Sequence, residues 1–194
     1  VECVLIPPLI RRLKEIAPQI QIEIAILRDQ LPEAELATGE IDLVLGFDEY
    51  MDVPRYLCRE TWLQEPLAGL VQQQNDQVGE QLDLTKLIAL PHVFHSPLGT
   101  RESMVDRYLT SHGLQRRISA NSQSYLSAAA IVSQTDHLLV LPKKVASMLT
   151  GNWPLRMVSL PDDMPCYHLN CVWHPAQGEH PSVIWLRQLM RQLL

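Results

Sequence analysis

Ser96 directly follows His95, and a hydroxyl beside an imidazole is the raw material of nucleophilic catalysis. Neighbours on a strand point to opposite faces, however, and no strained G-x-S-x-G elbow surrounds this serine. The pair therefore reads as a loop or ligand contact, with no catalytic residue expected. His168 and His174 stand on and just beyond an expected strand and His180 lies in a loop, without metal-ligand spacing. Gly46, Gly69 and Gly79 are isolated, so no glycine run is available to cradle a phosphate or dinucleotide. Cys3, Cys58, Cys166 and Cys171 lack the density of a disulfide scaffold and read as reduced thiols of a cytoplasmic protein. No cofactor and no metal is expected. Arg11-Arg12, Arg116-Arg117 and Lys143-Lys144 are read as solvated charges at helix or strand ends. Trp62, Trp153, Trp173 and Trp185 are read as packing residues and not as a stacking surface for bases.

The elements that must position these groups follow from periodicity. Leu5, Leu9, Leu13 and Ile16 recur at helical spacing, with Pro7 and Pro8 tolerable near a helix start and Pro18 closing the segment. Ile20, Ile22, Ile24 and Ile26 alternate with polar residues, which predicts a strand. Pro32 and Gly39 bracket a second helix, and Ile41 to Phe47 reads as a buried parallel strand. A strand is expected from about Glu65 to Gln74. Further strands are predicted over 92–95, 117–120, 137–141, 155–160 and 167–173. Between them run helices capped by Thr100, by Ser122 or Ser124, and by Pro142, the first stopped by Gly113 and the last by Gly151. A final helix starts at Pro181.

Strands alternating with helices imply α/β lobes with sheets covered on both faces. Two long crossing strands, near 65–74 and 155–173, suggest two lobes with a cleft between them. In such domains ligands sit beyond the carboxyl ends of the strands. The loops there are Arg28 to Gln30, Phe47 to Glu49, His95 to Arg101, Asn121 to Tyr125 and Leu141 to Lys143. They make Phe47, Asp48, His95, Ser96, Thr100, Arg101, Ser122 and Gln123 the candidate binding residues, although several of them also suit helix caps. A helix starting at Thr100 would aim free N–H groups at an anionic or strongly accepting ligand, with Arg101 adding a forked donor.

At 194 residues and 46% hydrophobic, the chain can bury a sizeable core. A net charge of −6 argues against direct contact with nucleic-acid phosphates. No apolar run approaches the roughly 20 residues that a membrane span needs. The sequence opens at Val1 without Met or an export signal and reads as a truncated stretch.

Five stretches carry a resemblance. They are Leu5-Ile6-Pro7-Pro8-Leu9-Ile10-Arg11-Arg12-Leu13 with Ala17-Pro18, and Leu36-Ala37-Thr38-Gly39-Glu40-Ile41-Asp42-Leu43-Val44-Leu45-Gly46. Then come Leu90-Pro91-His92-Val93 with His95-Ser96-Pro97, Leu138 to Pro142, and Val172-Trp173-His174-Pro175 ahead of Trp185-Leu186-Arg187. In this order they resemble the regulatory domain of LysR-type transcription regulators, in the branch of nodulation and aromatic-degradation regulators.

That resemblance implies a type 2 periplasmic-binding-protein fold. Lobe I would be 1–67 and 163–194, lobe II 68–162, and the family's strand before the first helix would be missing. It also implies a small-molecule effector between the lobes and a homodimer or tetramer formed through regulatory domains. DNA would be bound only through a winged helix-turn-helix upstream, and no membrane would be involved. Two other classes share the fold. An extracytoplasmic solute-binding protein would carry an export signal upstream. An enzyme such as a deaminase acting on porphobilinogen would need a cofactor-bearing cysteine in these loops, and none is there.

Overall fold

The computed structural model describes residues 2–27, 30–96 and 102–194. They fall into two units, Val1–Gln64 with His168–Leu194, and Glu65–Tyr167. The chain changes unit within or beside β2 (Cys58–Glu65) and β8 (Tyr167–Trp173).

In the first unit, α1 (Glu2–Ile16) buries Leu5, Leu9 and Leu13, one stripe at a spacing of one turn. The stripe packs on Leu189 and Met190 of α8 (Pro181–Arg191), which follows the short α7 (Pro175–Gly178). Pro7 and Pro8 lie inside α1 and not at its start, so two intrahelical donors are lost. Packing of the leucine stripe, more than propensity, sustains such a helix. The next helix, α2 (Glu33–Thr38), ends at Gly39 in the left-handed region (φ 80°), and the turn delivers the chain to β1 (Val44–Phe47). β1 pairs antiparallel with β8, Val44 opposite Val172 and Phe47 opposite Leu169, in a sheet of order β1-β8-β2. The expected parallel pairing is corrected here. An apolar run reports that both faces are covered, and it carries no information on strand direction.

The predicted strand Ile20 to Ile26 does not form. The segment belongs to no helix or ladder, and Ile26 is 81% exposed. Ile22 alone of the four packs, against the α1–α8 cluster. Period-two alternation assigns faces, whereas a ladder also needs an edge to bond to. Among the described residues, β1 is an edge strand with nothing bonded on its other side.

The second unit holds a five-stranded mixed sheet of order β5-β4-β6-β3-β7. Its strands are β3 (Leu67–Gln72), β4 (Pro91–His95), β5 (Arg117–Ser122), β6 (Leu138–Pro142) and β7 (Leu155–Val158). β4 runs parallel to β5 and β6, while β3 is antiparallel to β6 and β7. The strand expected from about Glu65 to Gln74 forms as β3, while β2, which ends just before it at Glu65, was not expected. Gly69 on β3 is required by close approach: a Cβ there would lie 2.7 Å from Val158 and 2.9 Å from Leu138. Helices α4 (Met104–Ser111), α5 (Tyr125–Val132) and α6 (Lys143–Thr150) follow β4, β5 and β6. α3 (Leu84–Ala89) was not expected; Asp83 caps it, accepting from the Lys86 N–H at 2.8 Å. Among the described residues no helix is long and apolar enough to cross a membrane.

Candidate functional site

The parallel register sets His95 at the end of β4 beside Ser122 at the end of β5, and the Ser96 N–H donates to the Ser122 carbonyl at 3.0 Å. The chain then turns into α5. Ser122 Oγ accepts from the Ser124 N–H at 3.2 Å and donates to the Ser124 carbonyl, while Ser124 caps the helix by accepting from the Ser127 N–H. His95 stacks on Tyr125, centroids 3.7 Å apart and planes within 9°. Burial of the imidazole, opposed by its hydrogen bond to the Gln123 carbonyl, lowers its pKa to about 4. The ring is therefore neutral at physiological pH. Ser96 is fully buried, whereas Gln123, Ser124, Ser127 and Leu126 (61%) are exposed. Sequence reasoning brought His95, Ser96, Ser122 and Gln123 to this turn but did not foresee Tyr125 as the face that holds His95.

The start of α4 is built differently from expectation. Its N-cap is Ser103, not Thr100, and Thr100 and Arg101 lie outside the described residues. The Ser103 N–H and hydroxyl both donate to Asp106 Oδ2 at 2.8 Å. Arg116, expected to be solvated, is a second correction: its side chain is 3% exposed. Its guanidinium donates from Nε to Asp106 Oδ1 at 2.7 Å and from one terminal nitrogen to Oδ2 at 2.8 Å, the forked match that carboxylates favour. It also donates to Ser103 Oγ and lies 5.3 Å from the Phe94 ring centre. Burial pushes the Asp106 pKa up, but the bond and charge of Arg116, with Ser103, outweigh it and hold the pKa low. His92 completes the network. It donates from Nε2 to the Leu87 carbonyl at 2.8 Å, so Nδ1 is the bare acceptor facing Arg116 at 3.4 Å. Burial and the Arg116 charge lower its pKa to about 4.

The loop Leu141 to Lys143 is occupied by the protein itself. Glu65, almost wholly buried, accepts from the Lys144 N–H at 2.6 Å, and the Lys143 N–H donates to the Pro66 carbonyl. A carboxylate from the end of β2 thus caps α6, filling the position an anion would take.

In the first unit Phe47 ends β1 and Asp48 opens a single 3-10 turn. Asp48 Oδ1 accepts from the backbone N–H groups of Glu49 and His168, each at 3.1 Å, and Oδ2 from His168 Nδ1 at 3.0 Å. Two residues along β8, Asn170 donates to the His168 carbonyl at 3.0 Å and accepts from Thr61 Oγ1 at 2.7 Å. Sequence reasoning named Asp48 but not His168, 120 positions away; only the β1–β8 pairing joins them. Arg28 and Asp29 of the first candidate loop lie outside the described residues. Among the described residues, no three or more His, Cys, Asp or Glu are grouped so as to hold a metal ion.

The family described as "LysR substrate binding domain" matches residues 1–194. Nodulation protein D 3 of Mesorhizobium japonicum is 25% identical over 184 residues, covering 94% of this chain and 60% of the relative. The chain thus spans about three fifths of the length of the curated relatives it matches first. The regulatory domain of MexT, a transcriptional activator in Pseudomonas aeruginosa, superposes with a TM-score of 0.86 at 27% identity, over 100% of this chain and 93% of that one. Full-length CbnR complexed with its target DNA matches in fold alone, with a TM-score of 0.77 at 18% identity, covering 67% of that chain.

Proposed function

Because this chain belongs to the LysR substrate-binding domain family, we propose that it is the effector-sensing part of a bacterial transcription regulator. The observation that carries the reading is the match over the whole chain to a family of regulators. Polar and half-exposed side chains gathered where β4 and β5 end support it.

In this reading the candidate contacts of a small molecule, anionic or strongly hydrogen-bond-accepting, are His95, Ser96, Ser122 and Gln123, with Phe47 and Asp48 as further candidates. Thr100 and Arg101 belong to the proposal from sequence alone. The bound state is favoured by differential affinity and is read out by a DNA-binding segment elsewhere in the whole protein. The chain performs no catalysis in this role. Ser96 is wholly buried, and the His95 imidazole is engaged by Tyr125 and the Gln123 carbonyl. The whole protein works in the cytoplasm as a homodimer or tetramer. Exposed Ile10, Ile16, Ile20 and Ile24 on and after α1 supply an apolar face of the kind that a two-fold partner's α6 would cover.

A thermal-shift screen of small carboxylates, phosphates and neutral metabolites, followed by calorimetric titration, tests the reading. Saturable binding of an anion supports it, with affinity lowered by Thr100→Ala and Arg101→Ala; a charge-assisted bond lost should cost about 1.5–3 kcal/mol. Stabilisation by neutral apolar compounds alone would overturn the anionic assignment.

A further inference from the structure

We propose that His168, held by Asp48, is an effector-contact residue that accepts a hydrogen bond from a hydroxyl or N–H group of the ligand; this rests on the sensing role proposed above. An ionised carboxylate only accepts, so the Nδ1 that faces Asp48 Oδ2 at 3.0 Å carries its proton. In the neutral ring this leaves Nε2 as a lone-pair acceptor. Among the described residues no hydrogen bond reaches Nε2, and the His168 side chain is 38% exposed.

The ring is aimed, not merely exposed. The same Asp48 carboxylate takes the His168 backbone N–H, and Asn170 fixes the His168 carbonyl. Asn170 is itself buried and locked by Thr61. Ring, amide and carbonyl of one residue are each tied down, so the direction of Nε2 is fixed before any ligand arrives, which cuts the ordering cost of binding.

Position points to recognition as well. Phe47 lies opposite Leu169, so the start of β8 lies beside the carboxyl end of β1, the end at which α/β folds hold ligands. Asp48 already receives three N–H donors, and the free acceptor at this end is therefore passed to the imidazole. A lone pair backed by a carboxylate attracts donors and disfavours anions. The ligand class that fits is a molecule carrying a neutral hydroxyl or N–H here, whatever charge it bears elsewhere.

Matched pairs test this: 4-hydroxybenzoate against 4-methoxybenzoate, and 6-hydroxyhexanoate against 6-methoxyhexanoate. Affinities are measured on the 194-residue chain, with the His168 ring nitrogens followed by NMR. At least one hydroxyl compound is expected to bind about fivefold tighter than its ether and to shift the Nε2 resonance. The preference should vanish in His168→Phe while ether binding persists, and return in part in His168→Gln. The NMR readout on the unaltered chain covers the case in which a variant fails to fold. Equal binding of hydroxyl and ether, an unmoved Nε2, or a preference that survives His168→Phe overturns the role of His168 and leaves the sensing role intact. Binding by none of the four also overturns this inference, and the sensing role is then judged by the broader screen described above.

Discussion

His92 and His95 stand on the same strand, and both imidazoles are pulled from 6.5 to about 4, yet their surroundings differ in kind. Around His92 the polar groups answer one another: the Leu87 carbonyl accepts from its N–H, Arg116 faces its lone pair, and Asp106 and Ser103 hold Arg116. Around His95 the polar groups face outward, with the turn Ser122 to Ser124 and the start of α5 half-exposed or exposed. A buried network whose donors and acceptors are matched internally fixes the scaffold. A turn whose hydroxyls and amide still face solvent is available to bind. The two ends of β4 thus separate stability from recognition.

The largest effect is expected where the closed network is cut. Arg116→Ala leaves Asp106 and Ser103 without their cation, and breaking such a pair costs about 3–5 kcal/mol. Arg116→Lys keeps the charge but not the fork, and should fall between. Urea denaturation checks both; a loss under about 1 kcal/mol for Arg116→Ala would mean that the network is no more than a surface ion pair.

Acidification should come next. Folding holds both imidazoles neutral, so between pH 6.5 and about 4 the unfolded chain binds protons that the native chain refuses. Stability is then fully present above pH 6.5, falls as pH drops toward 4, and changes no further from this source below it. The fall is at most roughly 3 kcal/mol for each ring. His95→Phe should remove about one proton from the slope, whereas an unchanged slope would show that His95 is already charged or exposed.

Glu65→Gln is a smaller cut. It keeps the shape and an acceptor for the Lys144 N–H but removes the charge at the start of α6. The expected cost is about 1 kcal/mol. Glu65→Ala, which leaves that N–H uncapped, should cost more, about 1–2 kcal/mol by thermal melt. Equal effects from both would mean that charge, and not the bond, is what α6 uses.

What the sequence could reveal follows the same division between local and distant partners. Gly39, the Ser124 cap and the strands at 92, 117, 138 and 167 were legible because turn chemistry and periodicity are local. Ile20 to Ile26 misled, since alternation is also local but a ladder partner is not. Arg116 read as surface charge because Asp106, ten positions away, reaches it only once α4 and β5 pack. Glu65 and Lys144, 79 apart, and Asp48 and His168, 120 apart, meet only through sheet topology. The loops that could bind were therefore readable, while the groups that already fill or aim them were not.

The smallest effect on stability should come from the open turn, and that smallness is what gives it meaning. Gln123 is exposed, and no side-chain hydrogen bond of Gln123 is seen among the described residues, so Gln123→Ala should shift stability by less than about 0.5 kcal/mol. Ser122→Ala removes the hydroxyl that bridges the Ser124 N–H and carbonyl, a turn bond worth about 1 kcal/mol at most. If the turn recognises the effector, the same two substitutions should weaken binding of a compound found by screening by about two- to tenfold, the value of a neutral hydrogen bond. The informative quantity is the ratio. Gln123→Ala should lower affinity while leaving the urea midpoint in place, and Arg116→Lys should lower the midpoint with affinity nearly unchanged once folded. Measuring both quantities on both variants crosses the comparison. Should Gln123→Ala leave affinity untouched while Arg116→Lys abolishes it in the folded chain, recognition would lie with the buried network, and the roles given to the two ends of β4 would have to be exchanged.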